Sequence, residues 1–274
     1  MRDLTAPALI DGLTLLVSQA AAEIVRLAGG GLAAREKSDA TPVTAADEAS
    51  EAILLKGLAR LLPGIDIVSE EAAARAAPAN PGETFVLVDP LDGTREILAG
   101  RDEYTVNVAV IHRGRPVAGL LAAPARALIW RGAAGRDSES LQVRPGEDPD
   151  RALRRTIRTR RFAPDPLVAL VSRSHFDPQT DAFLARWPGI ERRGCGSALK
   201  FGLLAEGAAD LYPRLAPTSA WDIAAGDAIL TGAGGLVVTP DGSPVLYGRG
   251  DGEFRIPAFI ALGDAAACRK VLPA

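Results

Sequence analysis

The chain has 274 residues, 47% of them hydrophobic, with 31 basic and 34 acidic side chains and a formal net charge of -3. That much apolar chain buries one large core or two intimately packed halves, which excludes a disordered protein or a small disulfide-stapled one. Mild acidity with no long basic tract to compensate argues against a protein whose main task is binding a nucleic-acid polymer.

Apolar positions Ile10, Leu13, Val17, Ala20, Ile24 and Leu27 recur at the helical period and predict an opening amphipathic helix, stopped by Gly29-Gly30-Gly31. The apolar stretch between Asp11 and Glu23 is too short to span a bilayer and lacks a basic lead followed by a clear cleavage site, so no integral membrane association is expected. Thr44 reads as the N-cap of a second helix, with Asp47 in its first turn and Ile53, Leu54, Leu58, Leu61 and Leu62 as the apolar period. Residues 65–68 form a short strand that ends in Ser69-Glu70-Glu71. Phe85 to Val88 is a buried strand ending at Asp89; Pro90-Leu91-Asp92-Gly93 is turn chemistry, and a helix begins near Thr94. Residues 104–112 and 117–122 read as a hairpin around Arg113-Gly114-Arg115, with 128–130 as a further strand, so a largely antiparallel sheet backed by two helices is predicted.

From 144 to 166 the composition turns to Arg, Asp and Pro, including Arg151, Arg154, Arg155, Arg158, Arg160 and Arg161, which predicts a linker or mobile surface segment. It divides the chain into an α+β half, 1–145, and an α/β half, 146–274. In the second half a strand at 167–171, a helix at 177–187, a helix near 198–205, a strand at 209–212 and a helix capped by Ser219 alternate as in an α/β fold. Trp221 reads as a core anchor and Cys195 as a small core or site-wall residue. The two cysteines, Cys195 and Cys268, stand in no metal-binding spacing and fit a reducing, cytoplasmic compartment, with loose attachment to the cytoplasmic face of the inner membrane left open.

Asp89 and Asp92 lie three residues apart at a strand end, beside the N–H groups of a starting helix, a setting that suits a divalent cation holding a phosphate. Alone, each acidic position has a plainer reading: Asp89 and Asp92 as turn and cap, Glu70 as solvated surface, Asp47 and Asp222 as helix caps. Together, Ser69-Glu70-Glu71, Asp89-Pro90-Leu91-Asp92-Gly93-Thr94 and Trp221-Asp222-Ile223-Ala224-Ala225-Gly226 resemble, in family order and over nearly all the chain, the lithium-sensitive, magnesium-dependent superfamily of inositol monophosphatase. The second half is most similar to its bacterial, sulfur-assimilation 3′(2′),5′-bisphosphate nucleotidases, through Ser172-Arg173-Ser174-His175, Gly196-Ser197-Ala198-Leu199-Lys200-Phe201 and Leu211-Tyr212-Pro213-Arg214.

The resemblance implies a layered αβαβα sandwich of the inositol monophosphatase and sugar phosphatase type. It implies a phosphatase that releases the 3′-phosphate of adenosine 3′,5′-bisphosphate, with 3′-phosphoadenylyl sulfate as a further substrate, using two or three Mg2+ ions and acting as a monomer or homodimer. Glu70, Asp89 and the Leu91 carbonyl would bind one ion, and Asp89, Asp92 and Asp222 a second. Glu70 and the Thr94 hydroxyl, oriented by Asp47, would act on the attacking water, while Gly93 and Thr94 N–H groups hold phosphate oxygens. Lys200, Arg214, Ser174, His175 and Ser197 would serve the nucleotide; Ala198 stands where the nucleotidase pattern often has a second serine. An inositol, sugar or histidinol phosphatase shares every metal ligand and remains the alternative, and a sensor without turnover is disfavoured because no ligand is missing.

Overall fold

Periodicity decides the first element. In the computed structural model, which describes residues 3–36, 42–75, 80–162, 166–174, 177–248 and 254–272, helix α1 spans Pro7–Ala28 and Gly29 is its C-cap. Ile10, Leu13, Val17, Ala20 and Ile24 are buried as the period requires. At 22 residues α1 outruns the apolar stretch read from the sequence and is, by length and composition alone, long enough to cross a bilayer; its apolar face lies in the protein core. Strands β1 (Ala34–Glu36) and β2 (Pro42–Thr44) form a short antiparallel ribbon that leads into α2 (Ala45–Leu61). Thr44 caps α2, and the Asp47 side chain returns to the Thr44 N–H, so both halves of a capping box are present.

Seven strands then form one sheet in chain order: β3 (Asp66–Ser69), β4 (Thr84–Asp92), β5 (Thr105–His112), β6 (Arg115–Ala123), β7 (Leu128–Ala133), β8 (Glu139–Gln142) and β9 (Leu153–Thr156). Only β3 and β4 pair in parallel. Short helices α3 (Glu70–Arg75) and α4 (Thr94–Leu98) start where β3 and β4 end. The second sheet has the order β11-β10-β12-β16-β14, from β10 (Val168–Ser172), β11 (Glu191–Cys195), β12 (Leu211–Arg214), β14 (Leu236–Val238) and β16 (Phe259–Leu262). Strand β10 is parallel to both its neighbours, and β16 runs antiparallel to both of its own. Helices α5 (Pro178–Leu184), α6 (Leu199–Ala205), α7 (Ala220–Gly232) and α8 (Cys268–Val271) complete the chain, with β13 (Thr218–Ser219) and β15 (Arg255–Ile256) as a two-stranded ribbon.

The alternation of side chains along each strand builds three cores. Val86 and Val88 of β4, with Val106, Val108 and Val110 of β5, face α1 and α2. Phe85 and Leu87, Ala109 and Ile111 face the other way, onto α6 and α7 and, across them, onto Val168, Leu170, Tyr212 and Phe259 of the second sheet. The outer face of that sheet, with Ala169, Leu211, Ile260 and Leu262, is covered by Phe183 and Leu184 of α5 and Val271 of α8. The result is a five-layer αβαβα sandwich, and strand phase places Asp89, two residues beyond Leu87, on the inter-sheet face.

Helix α7 lies against the first sheet with almost no side-chain spacer. A Cβ on Gly119 would come within 2.3 Å of the Ala225 carbonyl oxygen, and one on Gly132 within 2.8 Å of the Ile229 Cα, so helix backbone meets strand backbone. On the opposite side Gly226 accommodates the Phe201 ring.

The Arg-rich stretch departs from its expected role as a linker. It contains β9, and its arginines pair with fixed acids: Arg154 with Asp11 and Asp150, Arg155 with Glu206, Arg158 with Asp137, Arg160 with Asp210. Thr159 N–H donates to the Ala233 carbonyl at 3.0 Å. Four of its arginines, Arg154, Arg155, Arg158 and Arg160, stitch the run to acids outside it, information that composition does not hold. Helix α5 ends at Leu184, short of the expected 187, and β11 was invisible because Glu-Arg-Arg-Gly-Cys at a sheet edge has no apolar alternation.

Gly119→Ala is expected to destabilise the protein by about 1–3 kcal/mol or more through overpacking against α7. Gly82→Ala, whose Cβ would meet only the end of Asp66 at 3.9 Å, serves as the control, and urea denaturation of both checks it.

Candidate active site

A cavity of about 250 Å³ opens between the ends of β4 and β12 and the starts of α4, α6 and α7. Glu70, Asp89, Leu91, Asp92, Gly93 and Thr94 line it from the first sheet; Ser197, Lys200, Arg214 and Asp222 line it from the second half. Segments separated by over a hundred residues thus supply opposite walls.

The acidic wall is pinned by one face of α2. Asp47, buried at 2% exposure, accepts from the Thr94 hydroxyl at 3.1 Å and from the Thr44 hydroxyl at 2.7 Å. Three residues on, the Ser50 hydroxyl donates to the Pro90 carbonyl at 2.7 Å. Glu51, the next residue, accepts from the Ser69 hydroxyl and, at 3.0 Å, from the Ala72 N–H, which fixes the turn that carries Glu70. Spacing of three and four brings these side chains onto one helix face. Sequence reasoning found Asp47 and missed Ser50 and Glu51, although polar residues at these positions of a buried helix face were the available signal. After Asp89 the β4–β5 register shifts, and Gly93 adopts φ 98°, where L side chains are strained. That turn aims the first N–H groups of α4 toward the cavity.

Burial, and then the neighbouring Glu70, Asp92, Asp222 and Asp47, hold the Asp89 carboxyl well above the ordinary carboxylate range. Burial and then Asp222 push Asp92 up to about 7, against the opposing influence of Lys200, the Ala198 N–H and Arg214. As placed, no group of three or more His, Cys, Asp or Glu side chains among the described residues closes into a ready-made ion cage. Instead Asp92 accepts the Ala198 N–H at 2.5 Å, and Asp222 accepts from the Thr218 hydroxyl and the Ser219 N–H. The chemistry of the donors nevertheless fits a divalent cation: all are hard oxygens, they face one cavity, and their mutual repulsion is the cost that positive charge removes.

On the opposite wall Lys200 is buried at 2% exposure, its ammonium donating to the Cys195 and Ser197 carbonyls at 3.0 and 2.6 Å and lying 5.0 Å from the centre of the Tyr212 ring. Those bonds hold the 195–197 turn in shape and commit two of the ammonium's three N–H donors. Ser197 takes φ 47°, and its hydroxyl accepts the Leu199 N–H at 3.2 Å at the start of α6. Arg214 reaches the Pro217 carbonyl at 3.4 Å and stands near Asp92 and Asp222. Ser174 is turned to Glu96, to which its hydroxyl donates, while Ser172 lines the cavity. Strand phase was the signal for Ser172, since Val168 and Leu170 of β10 face the same central layer. His175 lies outside the described residues. Trp221 is half-buried on the cavity wall beside Phe254 and is no deep core anchor, because its helix begins at the rim. Cys195 is buried in the central core rather than on the cavity wall, and burial pushes its thiol up to about 11.

Fold and site together define a phosphatase scaffold of the layered type. The chain belongs to the inositol monophosphatase family, whose model it matches over residues 9–258 and which is generally metal-dependent. It is 39% identical over 211 residues to the 3′(2′),5′-bisphosphate nucleotidase CysQ of Salmonella typhimurium, covering 77% of this chain and 81% of that one. CysQ of Haemophilus influenzae is 28% identical over 230 residues, 83% of this chain and 82% of its own. Among solved structures, CysQ from Bacteroides thetaiotaomicron, a bacterial member of the family, superposes with a TM-score of 0.78 at 27% identity, covering 95% of this chain and 98% of that one. Inositol monophosphatase from Anabaena, at 23% identity and a TM-score of 0.74 over 96% and 93% of the two chains, shares the fold.

Ser50→Ala leaves the Pro90 carbonyl without this donor and is expected to cost about 1–2 kcal/mol of stability. Equilibrium denaturation reads the loss.

Proposed function

We propose that this protein is a 3′(2′),5′-bisphosphate nucleotidase that hydrolyses the 3′-phosphate of adenosine 3′,5′-bisphosphate, and of 3′-phosphoadenylyl sulfate, in the cytoplasm. The observation that carries the reading is the pairing of charges around one cavity: Glu70, Asp89, Asp92 and a helix start from the first sheet, met by Asp222, Lys200 and Arg214 from the second half. A nucleotide with phosphates at both ends of its ribose matches such a charge pattern, while its reacting end needs compensation of carboxylate and phosphate charge alike.

Glu70, Asp89, Asp92, Asp222 and the Leu91 carbonyl would hold Mg2+, two or three ions in all, which when bound supply an ionised water, neutralised phosphate oxygens and a stabilised leaving oxygen. The chain's own groups do the rest. Asp47 takes the Thr94 hydroxyl proton in a hydrogen bond, so the Thr94 oxygen presents a lone pair to the attacking water. Glu70 accepts the proton that this water gives up. Gly93 and Thr94 N–H groups hold phosphate oxygens at the start of α4. Arg214 and the remaining Lys200 donor meet the second phosphate, with the Ser172 and Ser197 hydroxyls beside them. Ala198 contributes its N–H, which holds Asp92, so a side-chain hydroxyl at this position is not needed for the acidic wall.

Phosphate release with Mg2+ from adenosine 3′,5′-bisphosphate is expected to exceed that from inositol 1-phosphate; the reverse order would assign the site to an inositol phosphatase. Asp92→Asn keeps an acceptor for Ala198 but removes a charge, and is expected to lose more than the about 10–100-fold typical of residues that merely support a metal ligand. Because Asp92 titrates near 7, cation binding displaces a proton from it. The deprotonated form grows as pH rises, so Mg2+ affinity is expected to rise between about pH 6 and 8, with proton release visible by calorimetry in two buffers of different ionisation heat. A pH-independent affinity would place the cation elsewhere.

A further inference from the structure

Glu103 precedes β5 and is not on the cavity wall, yet three hydrogen bonds from the second half converge on it. The Arg173 guanidinium forks onto its two oxygens, Nε to Oε2 and Nη2 to Oε1, each at 2.8 Å, and the Gly196 N–H donates to Oε2 at 2.8 Å. The Glu103 side chain is 12% exposed and the Arg173 side chain 41%. Arg173 is tied in turn to the neighbouring strand: Nη2 donates to the Gly194 carbonyl and its backbone N–H to the Cys195 carbonyl at 3.3 Å. The hydrogen bond from Arg173 leads the influences that hold the Glu103 carboxyl below the ordinary range.

The backbone around Glu103 is equally constrained. A Cβ on Gly93 would come within 2.8 Å of the Glu103 carbonyl oxygen, and one on Gly196 within 2.9 Å of that same oxygen and 2.7 Å of the Glu96 Cγ. One peptide is thus wedged between the turn that offers N–H groups to a reacting phosphate and the turn whose carbonyls fix Lys200. Glu96 adds a parallel tie by accepting the Ser174 hydroxyl.

We propose that Glu103 and Arg173 are positioning residues that set the spacing between the two phosphate-binding ends of the cavity, and so select substrates carrying a second phosphate at the matching distance. The proposal rests on the nucleotidase reading above. Neither side chain touches the substrate; Glu103 holds the 172–174 and 194–200 segments in register with Gly93. A bidentate fork suits that task because it fixes orientation as well as distance.

The test compares wild type with Glu103→Ala, Arg173→Ala and Arg173→Lys on adenosine 3′,5′-bisphosphate and on 3′-AMP, which lacks the second phosphate. Amide hydrogen exchange over 172–174 and 194–200 is followed in parallel. The expected result is a KM for the bisphosphate raised by about tenfold or more, the scale of one lost charged hydrogen bond, with kcat within about twofold. The KM for 3′-AMP stays within about twofold, Arg173→Lys falls between, and exchange at Gly196 accelerates in Glu103→Ala. Equal losses on both substrates, or no change on either, would overturn the proposal. Should Glu103→Ala fail to fold, the half-exposed Arg173 variants carry the test. Should the wild type leave the bisphosphate untouched, the nucleotidase reading fails by itself, and exchange alone then decides: unchanged protection of 194–200 removes the tie, faster exchange upholds it.

Discussion

Gathering carboxylates at the buried end of β4 opposes folding, and much of the molecule is arranged around that cost. Asp89 is desolvated beside Glu70, Asp92, Asp222 and Asp47, and Asp92 is pushed up to about 7, a shift equivalent to several kcal/mol. The surrounding structure offsets part of it with directed N–H groups: Leu91 to Asp89, Ala198 to Asp92, Ser219 to Asp222, Thr44 to Asp47. A cluster built this way is poised for cations, because the residual repulsion becomes binding energy once positive charge arrives. On the proposed reading, stability surrendered by the free protein becomes affinity for the cations.

The parts legible in the sequence were those whose signals are local. The helical period of α1, the Thr44 and Ser219 caps, the strand ending at Asp89 and the turn at Gly93 were all readable from neighbouring residues, and they locate the acidic wall. The Arg-rich stretch was misread because the partners of Arg155, Arg158 and Arg160 come from other elements. Strand β11 escaped because an edge strand with both faces polar lacks alternation. Ser50 and Glu51 were missed for a different reason: polar residues on a buried helix face look like defects until the carbonyl and turn they serve are in view.

The cationic wall follows another logic. Lys200 spends two of its three donors on the carbonyls of the 195–197 turn, so the residue that the sequence resemblance marks for substrate also shapes part of the cavity wall. Ser172 and Ser174, two apart on the same segment, divide their work: one faces the cavity, the other ties the segment to Glu96. On the proposed reading, recognition and scaffolding fall on the same short stretches.

The contact of α7 with Gly119 and Gly132 has a consequence for how the cleft works. Asp222 opens α7, and the body of that helix is locked backbone to backbone against the sheet whose end carries Asp89. Asp89 and Asp222 therefore cannot separate without driving a helix through a strand. A molecule whose carboxylates are preset in this way has little ordering entropy left to lose there when a ligand arrives. Its specificity would then drift through loop replacements at the rim, while the helix and sheet beneath stay fixed.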